Sequence, residues 1–188
     1  TISAEMAKVR DYVPDYAVMA HRGSTFWAPE ETESAWRWAR EMGADYLESD
    51  LQCTKDGVIL ANHDDNLKRT TNIENVYSEL VPATRKAFYM RHGVSEEEAE
   101  KLVAADKASF RPYYAMSYMY EELLALDAGS WFNETSIEQA RKSFAEKHQY
   151  VSALEDQIRY AEGKMLKRGS DGERIYTVTG TWDPDKPR

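Results

Sequence analysis

Two acids one residue apart, Glu48 and Asp50, lie in a stretch over residues 46–53 that reads as a β-strand. Side chains at i and i+2 of a strand project to the same face. Two co-facing carboxylates repel each other unless a cation lies between them, so the pair is a candidate metal site. Oxygen donors without a thiolate favour a hard ion, Mg²⁺ or Ca²⁺, and a Mg²⁺ site commonly takes one or two carboxylates plus a substrate phosphate. An isolated Glu-x-Asp is more often an exposed strand surface, so its neighbourhood has to decide between the two readings.

That neighbourhood holds His21-Arg22-Gly23 at the end of one apolar run and His63-Asp64 at the end of another. Two histidines beside a metal and an arginine suit phosphodiester cleavage. One imidazole withdraws a proton from the nucleophile and the other protonates the leaving oxygen. Arg22 offers phosphate a planar fork. His92 and His148 stand in or near charged helical stretches without such company and read as surface or packing residues. Tyr113, Tyr114, Tyr118 and Tyr120 have the character of local core rather than of a catalytic set.

The elements that must position these groups follow from pattern. Residues 16–20 form a short apolar run, expected to be a strand that delivers His21 at its end. Thr32 offers an N-cap, Ala35, Trp38, Ala39 and Met42 recur at helical spacing, and Gly43 supplies a stop. With the strand over 46–53, the opening reads strand, helix, strand, the unit of a parallel sheet or barrel. Lys55-Asp56-Gly57 turns the chain, and residues 58–61 return as a strand that brings back His63. Ligands gather at the C-terminal ends of parallel strands, so the three polar clusters fit a functional pattern.

Residues 73–120 change texture, being mostly helical and rich in Tyr, Phe and Met, with a capping box at Ser95 and Glu98. A second box, Ser152 and Glu155, opens a helix expected to stop near Gly163, and residues 175–179 read as a strand.

Composition narrows the partners. With 188 residues, 42% hydrophobic and 30% charged, the chain can bury a core. A formal net charge of −9 argues against a nucleic-acid backbone as partner. The single cysteine, Cys53, cannot form an internal disulfide, and no Cys/His cluster has zinc spacing. No apolar run approaches the roughly 20 residues of a membrane span. The chain opens on Thr1, which leads us to expect N-terminal sequence before it.

Taken together, His21-Arg22-Gly23, Pro29-Glu30-Glu31-Thr32, Gly43-Ala44-Asp45, Glu48-x-Asp50, Thr54-x-Asp56-Gly57, His63-Asp64 and Leu67-x-Arg69-Thr70-Thr71 closely resemble the glycerophosphodiester phosphodiesterase family, with a weaker echo in Glu122-Leu123 and Leu126-Asp127-Ala128-Gly129. The resemblance implies an α/β fold, a TIM-type (β/α)₈ barrel with an insertion after its second strand, here taken as residues 73–120. It implies hydrolysis of glycerophosphodiesters to glycerol 3-phosphate and an alcohol with Mg²⁺ or Ca²⁺ bound. Glu48 and Asp50 would be metal ligands, His21 and His63 the acid and base in either order, Arg22 the phosphate contact, and Glu30 a supporting residue. The course implied is attack of the glycerol 2-hydroxyl on phosphorus, loss of the alcohol, and opening of the cyclic phosphate by water. A lysophospholipase D-like reaction is the alternative substrate reading. A periplasmic or secreted setting is favoured over a cytoplasmic one.

Two departures matter. Glu31 stands where the family pattern has Asn, adding charge near an anionic site. The family's third metal carboxylate, on a later strand in a Glu-x-Lys setting, has no counterpart before Arg188. A full barrel takes about 250 residues. The chain is therefore expected to be the N-terminal portion of one, with Asp183-Pro184-Asp185-Lys186-Pro187 as the turn before a further strand. A non-catalytic module with a metal or phosphate site is the reading from a different class.

Overall fold

Strand β1 (Met19–Ala20) pairs in parallel with β2 (Tyr46–Leu47), Met19 opposite Tyr46 and Ala20 opposite Leu47. These positions come from a computed structural model that describes residues 3–12, 15–133, 148–168 and 174–178. An N-terminal helix, α1 (Ala4–Tyr12), precedes β1.

Helix α2 (Glu33–Glu41) makes the crossover between the two strands. Thr32 is extended, and its Oγ1 accepts the Ala35 N–H at 3.4 Å, satisfying one of the unpaired first-turn donors. Gly43, at φ +90°, ends the helix in the left-handed conformation that glycine adopts without penalty. The buried arc is Ser34, Ala35, Trp36 and Ala39. It differs from the expected one, because Trp38 and Met42 are exposed. Met42 lies past the last helical turn, and Trp38 stacks on Trp27 while Trp36 packs against Tyr160.

The expected strand over 46–53 is two strands. β2 pairs with β1, β3 (Leu51–Cys53) pairs with β4 (Ile59–Ala61) in an antiparallel hairpin, and residues 48–50 lie between them outside any strand. One apolar run thus serves two sheets, and the change of partner falls on the acidic residues. Thr54 Oγ1 donates to Asp56 Oδ1 at 2.6 Å in the hairpin turn, closed by Gly57 at φ +83°.

Helices follow: α3 (Ile73–Val76), α4 (Arg85–Arg91), α5 (Glu96–Ser109) and α6 (Tyr120–Leu123), with a 3₁₀ turn at Ala115–Ser117. Ser95 Oγ caps α5 by accepting the Glu98 N–H. Leu60, Leu67, Ile73, Tyr118, Leu123 and Leu126 form one buried cluster, so the hairpin and the helices share a core. Each such side chain contributes about 1.5–3 kcal/mol on burial. Tyr118 and Tyr120 belong to that core, as their pattern indicates. Lys55 pairs with Asp106 at 2.8 Å, and the Tyr120 N–H donates to Asp56 at 2.9 Å, which clamps the helices onto the hairpin turn.

Helix α7 (Leu154–Ala161) begins one residue later than expected. Ala153 is the N-cap, and Asp156, not Glu155, receives its N–H at 2.8 Å. The Ser152–Glu155 spacing is set aside because residues 151–153 lie alongside β4, where the Ser152 carbonyl accepts from Ala61 and Ala153 bridges to Leu60. Gly163 at φ +78° ends the helix. β5 (Lys164–Arg168) then pairs antiparallel with β6 (Arg174–Val178). The described residues thus hold three two-stranded sheets and no closed barrel. Thr179 and the turn expected at Asp183-Pro184-Asp185-Lys186-Pro187 lie outside them. No described helix is long and apolar enough to cross a membrane.

Candidate metal and phosphodiester site

His21 stands immediately after β1, and the chain turns sharply behind it. Gly23, at φ +91°, presses on α2 so closely that a Cβ there would meet Ala35 Cβ at 2.6 Å and the Ala35 carbonyl carbon at 2.8 Å. The Ser24 N–H donates to the Ala35 carbonyl at 2.9 Å. Arg22 and Glu31 both take φ +58°, an uncommon choice for residues with side chains, and the Glu31 N–H donates to the Arg22 carbonyl at 3.0 Å. Positive-φ backbone at Arg22 and Glu31 therefore brackets the loop that carries Glu30, with His21 immediately before it.

The connection between β2 and β3 meets this loop. The Arg22 N–H donates to Glu48 Oε2 at 3.0 Å, and the Glu48 N–H donates to the Ala20 carbonyl at 3.1 Å. One ligand atom each from His21, Glu48 and Asp50 lie within 4.8 Å of one another, the one such metal-competent group among the described residues. The acids converge although neither lies in a strand. One imidazole nitrogen and two carboxylates, without thiolate, fit a hard divalent cation.

Arg22 sits against the acids, with Nε 3.0 Å from Asp50 Oδ2 and Nη1 donating to Glu30 Oε1 at 3.4 Å. His63 is not a member of the cluster but is joined to it by a chain of charges. Its Nδ1 is 2.6 Å from Asp64 Oδ1. Arg69 holds Asp64 through Nε at 2.7 Å and Nη2 at 3.0 Å, and reaches Glu30 at 3.1 and 2.7 Å. Glu30 then leads back to Arg22. The Arg69 hydrogen bonds hold the Asp64 carboxyl down at about 2, aided by His63, and the same bonds push the Arg69 guanidinium further up.

Glu31 lies beneath this layer, 4% exposed. Ser49 Oγ donates to Glu31 Oε2 at 2.5 Å and the Asp50 N–H donates to Glu31 Oε1 at 2.8 Å. Burial pushes its carboxyl up to about 7 against these two bonds.

Asp64 and Arg69 belong to motifs visible in the sequence, yet their roles are not. The Arg69–Glu30 pair spans 39 residues, so no local spacing signals it. Asp64 beside His63 was the available hint. His92 bonds the Phe88 carbonyl and lies tilted against the Phe88 ring, and His148 packs edge-on against Tyr150, neither belonging to the His21, Glu48 and Asp50 cluster. Asp127, in the weaker motif echo, organises its own loop by accepting from Gly129, Ser130 and Gln149.

Residues 21–176 match the sequence model of the glycerophosphoryl diester phosphodiesterase family. The chain is 30% identical over 126 residues to a glycerophosphodiester phosphodiesterase of Bacillus subtilis (strain 168), covering 67% of this chain and 30% of that one. It is 28% identical over 165 residues to the Mus musculus glycerophosphoinositol inositolphosphodiesterase GDPD2, covering 85% of this chain and 25% of that one. A crystal structure from Silicibacter pomeroyi DSS-3, assigned as a glycerophosphoryl diester phosphodiesterase, superimposes with a TM-score of 0.50 at 19% identity, covering 78% of this chain and 41% of that one. The chain thus spans 25–30% of the length of these two curated relatives. The family match and the structural likeness indicate a TIM-barrel-like fold.

Proposed function

The chain belongs to the glycerophosphoryl diester phosphodiesterase family, and from that premise we propose that it carries the metal and acid/base site of an enzyme hydrolysing glycerophosphodiesters to glycerol 3-phosphate and an alcohol. We read its described residues as the N-terminal part of the barrel, with residues 73–120 as an insertion after the second strand.

The observation that carries the reading is the convergence of His21, Glu48 and Asp50 from two separate connections. Glu48 and Asp50 would hold Mg²⁺ or Ca²⁺, with the His21 imidazole beside them. A divalent cation there supplies Lewis-acid stabilisation of charge on phosphoryl oxygens. Arg22, already at Asp50, contributes the phosphate contact. Asp64 remains ionised throughout the neutral range, so it accepts from His63 Nδ1 and leaves Nε2 to move a proton at the substrate. His21, beside Glu48 and Asp50, and His63, held by Asp64 at the far end of the Arg22–Glu30–Arg69 chain of ion pairs, would be the acid and the base in either order.

The test is hydrolysis of glycerophosphocholine, followed by release of choline and glycerol 3-phosphate, with Mg²⁺, with Ca²⁺ and with EDTA. EDTA is expected to abolish turnover, and His21→Ala, His63→Ala and Glu48→Ala each to lower kcat by roughly 10²-fold or more. A protein that binds the metal yet hydrolyses no glycerophosphodiester overturns the enzymatic reading.

A further inference from the structure

Residues 48–50 carry both acids and belong to neither flanking strand, so their backbone must be held by other means. The Ala20 carbonyl takes the Glu48 N–H, and the Asp50 carbonyl takes the Asn62 N–H at 2.9 Å. The Ser49 hydroxyl and the Asp50 N–H both go to Glu31. A buried carboxylate thus supplies what a neighbouring strand would otherwise supply, at the point where the chain changes sheets.

Its own position is fixed from the other side. Glu31 opens the capping turn of α2, takes a left-handed φ and gives its N–H to the Arg22 carbonyl, while the Arg22 N–H holds Glu48. The loop bearing His21 and the connection bearing Glu48 and Asp50 are therefore stitched together twice, once through Arg22 and once through Glu31. Glu31 is not among the converging ligand atoms, and each of its oxygens already accepts from a protein donor.

We propose that Glu31 is a positioning residue that holds the Glu48-Ser49-Asp50 connection in the geometry that binds the divalent cation. The inference rests on the metal reading above. Residues that orient ligands typically change metal affinity about 10- to 100-fold when lost. Glutamine is the informative conservative change. Its Oε1 can accept the Asp50 N–H and its Nε2 can donate to Ser49 Oγ, reversing that one hydrogen bond without losing it.

The experiment is calorimetric titration of metal-freed protein with Mg²⁺ and with Ca²⁺, with amide hydrogen exchange at Asp50 in the metal-free state as a second readout. Glu31→Ala is expected to weaken the better-bound metal at least 10-fold and to speed Asp50 exchange, whereas Glu31→Gln stays within about 3-fold of the unsubstituted protein. Ser49→Ala, which removes one of the two bonds and leaves the carboxylate in place, weakens binding by a smaller factor and serves should Glu31→Ala not fold. A folded Glu31→Ala protein with unchanged affinity overturns the inference alone, as does a Ser49→Ala protein with unchanged affinity and exchange if Glu31→Ala is unfolded. Failure of the unsubstituted protein to bind either metal overturns the site reading and this inference with it.

Discussion

Arg69 grips Glu30 with both terminal nitrogens while its Nε holds Asp64, so one side chain joins the His63 end of the site to the Arg22 end. The pairing is a forked, charge-assisted one, the kind that fixes orientation as well as energy. Its head is 43% exposed, so its contribution to stability is small, about 1 kcal/mol or less. Its effect on geometry is expected to be larger. Arg69→Ala should lower kcat for glycerophosphocholine by roughly 10- to 100-fold through misplacement of His63, while stability in urea falls by no more than about 1 kcal/mol. Steady-state kinetics beside an equilibrium unfolding curve checks both halves, and an unchanged kcat contradicts the positioning role.

Asp64 gives a pH signature to the same network. Its carboxyl is held at about 2, below the usual 3.8, chiefly by Arg69. A carboxyl with a depressed folded value stabilises the fold at all pH above its unfolded value and loses that contribution as pH falls from about 4 towards 2. Solvent at Arg69 reduces the effect to about 1 kcal/mol. Unfolding of metal-free protein at pH 7 and pH 3 should therefore show a pH dependence smaller by about half that amount in Asp64→Asn, because pH 3 lies midway between the folded and unfolded values. The Asp64 carboxyl titration, followed by NMR, should rise towards the ordinary value in Arg69→Ala.

What the sequence made legible divides along physical lines. The Thr32 cap, the Gly43 and Gly163 stops and the hairpin turn at 54–57 are local chemistry, and each stands where its residues indicate. The convergence of Glu48 and Asp50 was also legible, though for an incomplete reason. Strand periodicity placed them on one face, whereas the structure holds them by bonds to Ala20, Arg22, Glu31 and Asn62 across a break between two strands. Such a break carries no composition signal, because residues on either side are equally strand-like. Glu31 was visible as a charge near an anionic site, and its burial under Ser49 and Asp50 depends on loops 18 residues apart. The shifted start of α7 follows from tertiary pairing with β4, which no capping rule contains.

Gly23 tests how tightly the His21 loop must lie on α2. An alanine there needs a left-handed backbone and drives its Cβ into Ala35 from 2.6 Å, with α2 backbone immediately behind. The helix backbone cannot yield as a flexible side chain would. Gly23→Ala should cost about 2–4 kcal/mol from conformation and overpacking together. Denaturant unfolding measures it. Gly57→Ala, with a similar φ and open space around the Cβ, is the control and should cost about 1–2 kcal/mol.

Arg85 separates the stability of the helical segment from the chemistry of the site. It is wholly buried, with Nε and Nη2 donating to the two Glu122 oxygens at 2.8 Å, Nη1 to Asp106 at 2.7 Å and Nη2 to the Ser117 carbonyl at 2.8 Å. Asp106 also receives Lys55 and the Tyr89 hydroxyl, so the helices and the hairpin turn meet at one charge cluster. Removing the arginine leaves the Glu122 carboxylate without its charge partner in a buried setting, a loss of about 3–5 kcal/mol. Arg85→Ala should therefore unfold at markedly lower urea. Arg85→Met together with Glu122→Gln and Asp106→Asn should recover part of the loss, because no unpaired buried charge remains. None of these residues is in the His21, Glu48 and Asp50 cluster, so metal affinity in the recovered variant should match that of the unsubstituted protein. A recovered fold with lost metal binding would mean that the helical segment shapes the site directly.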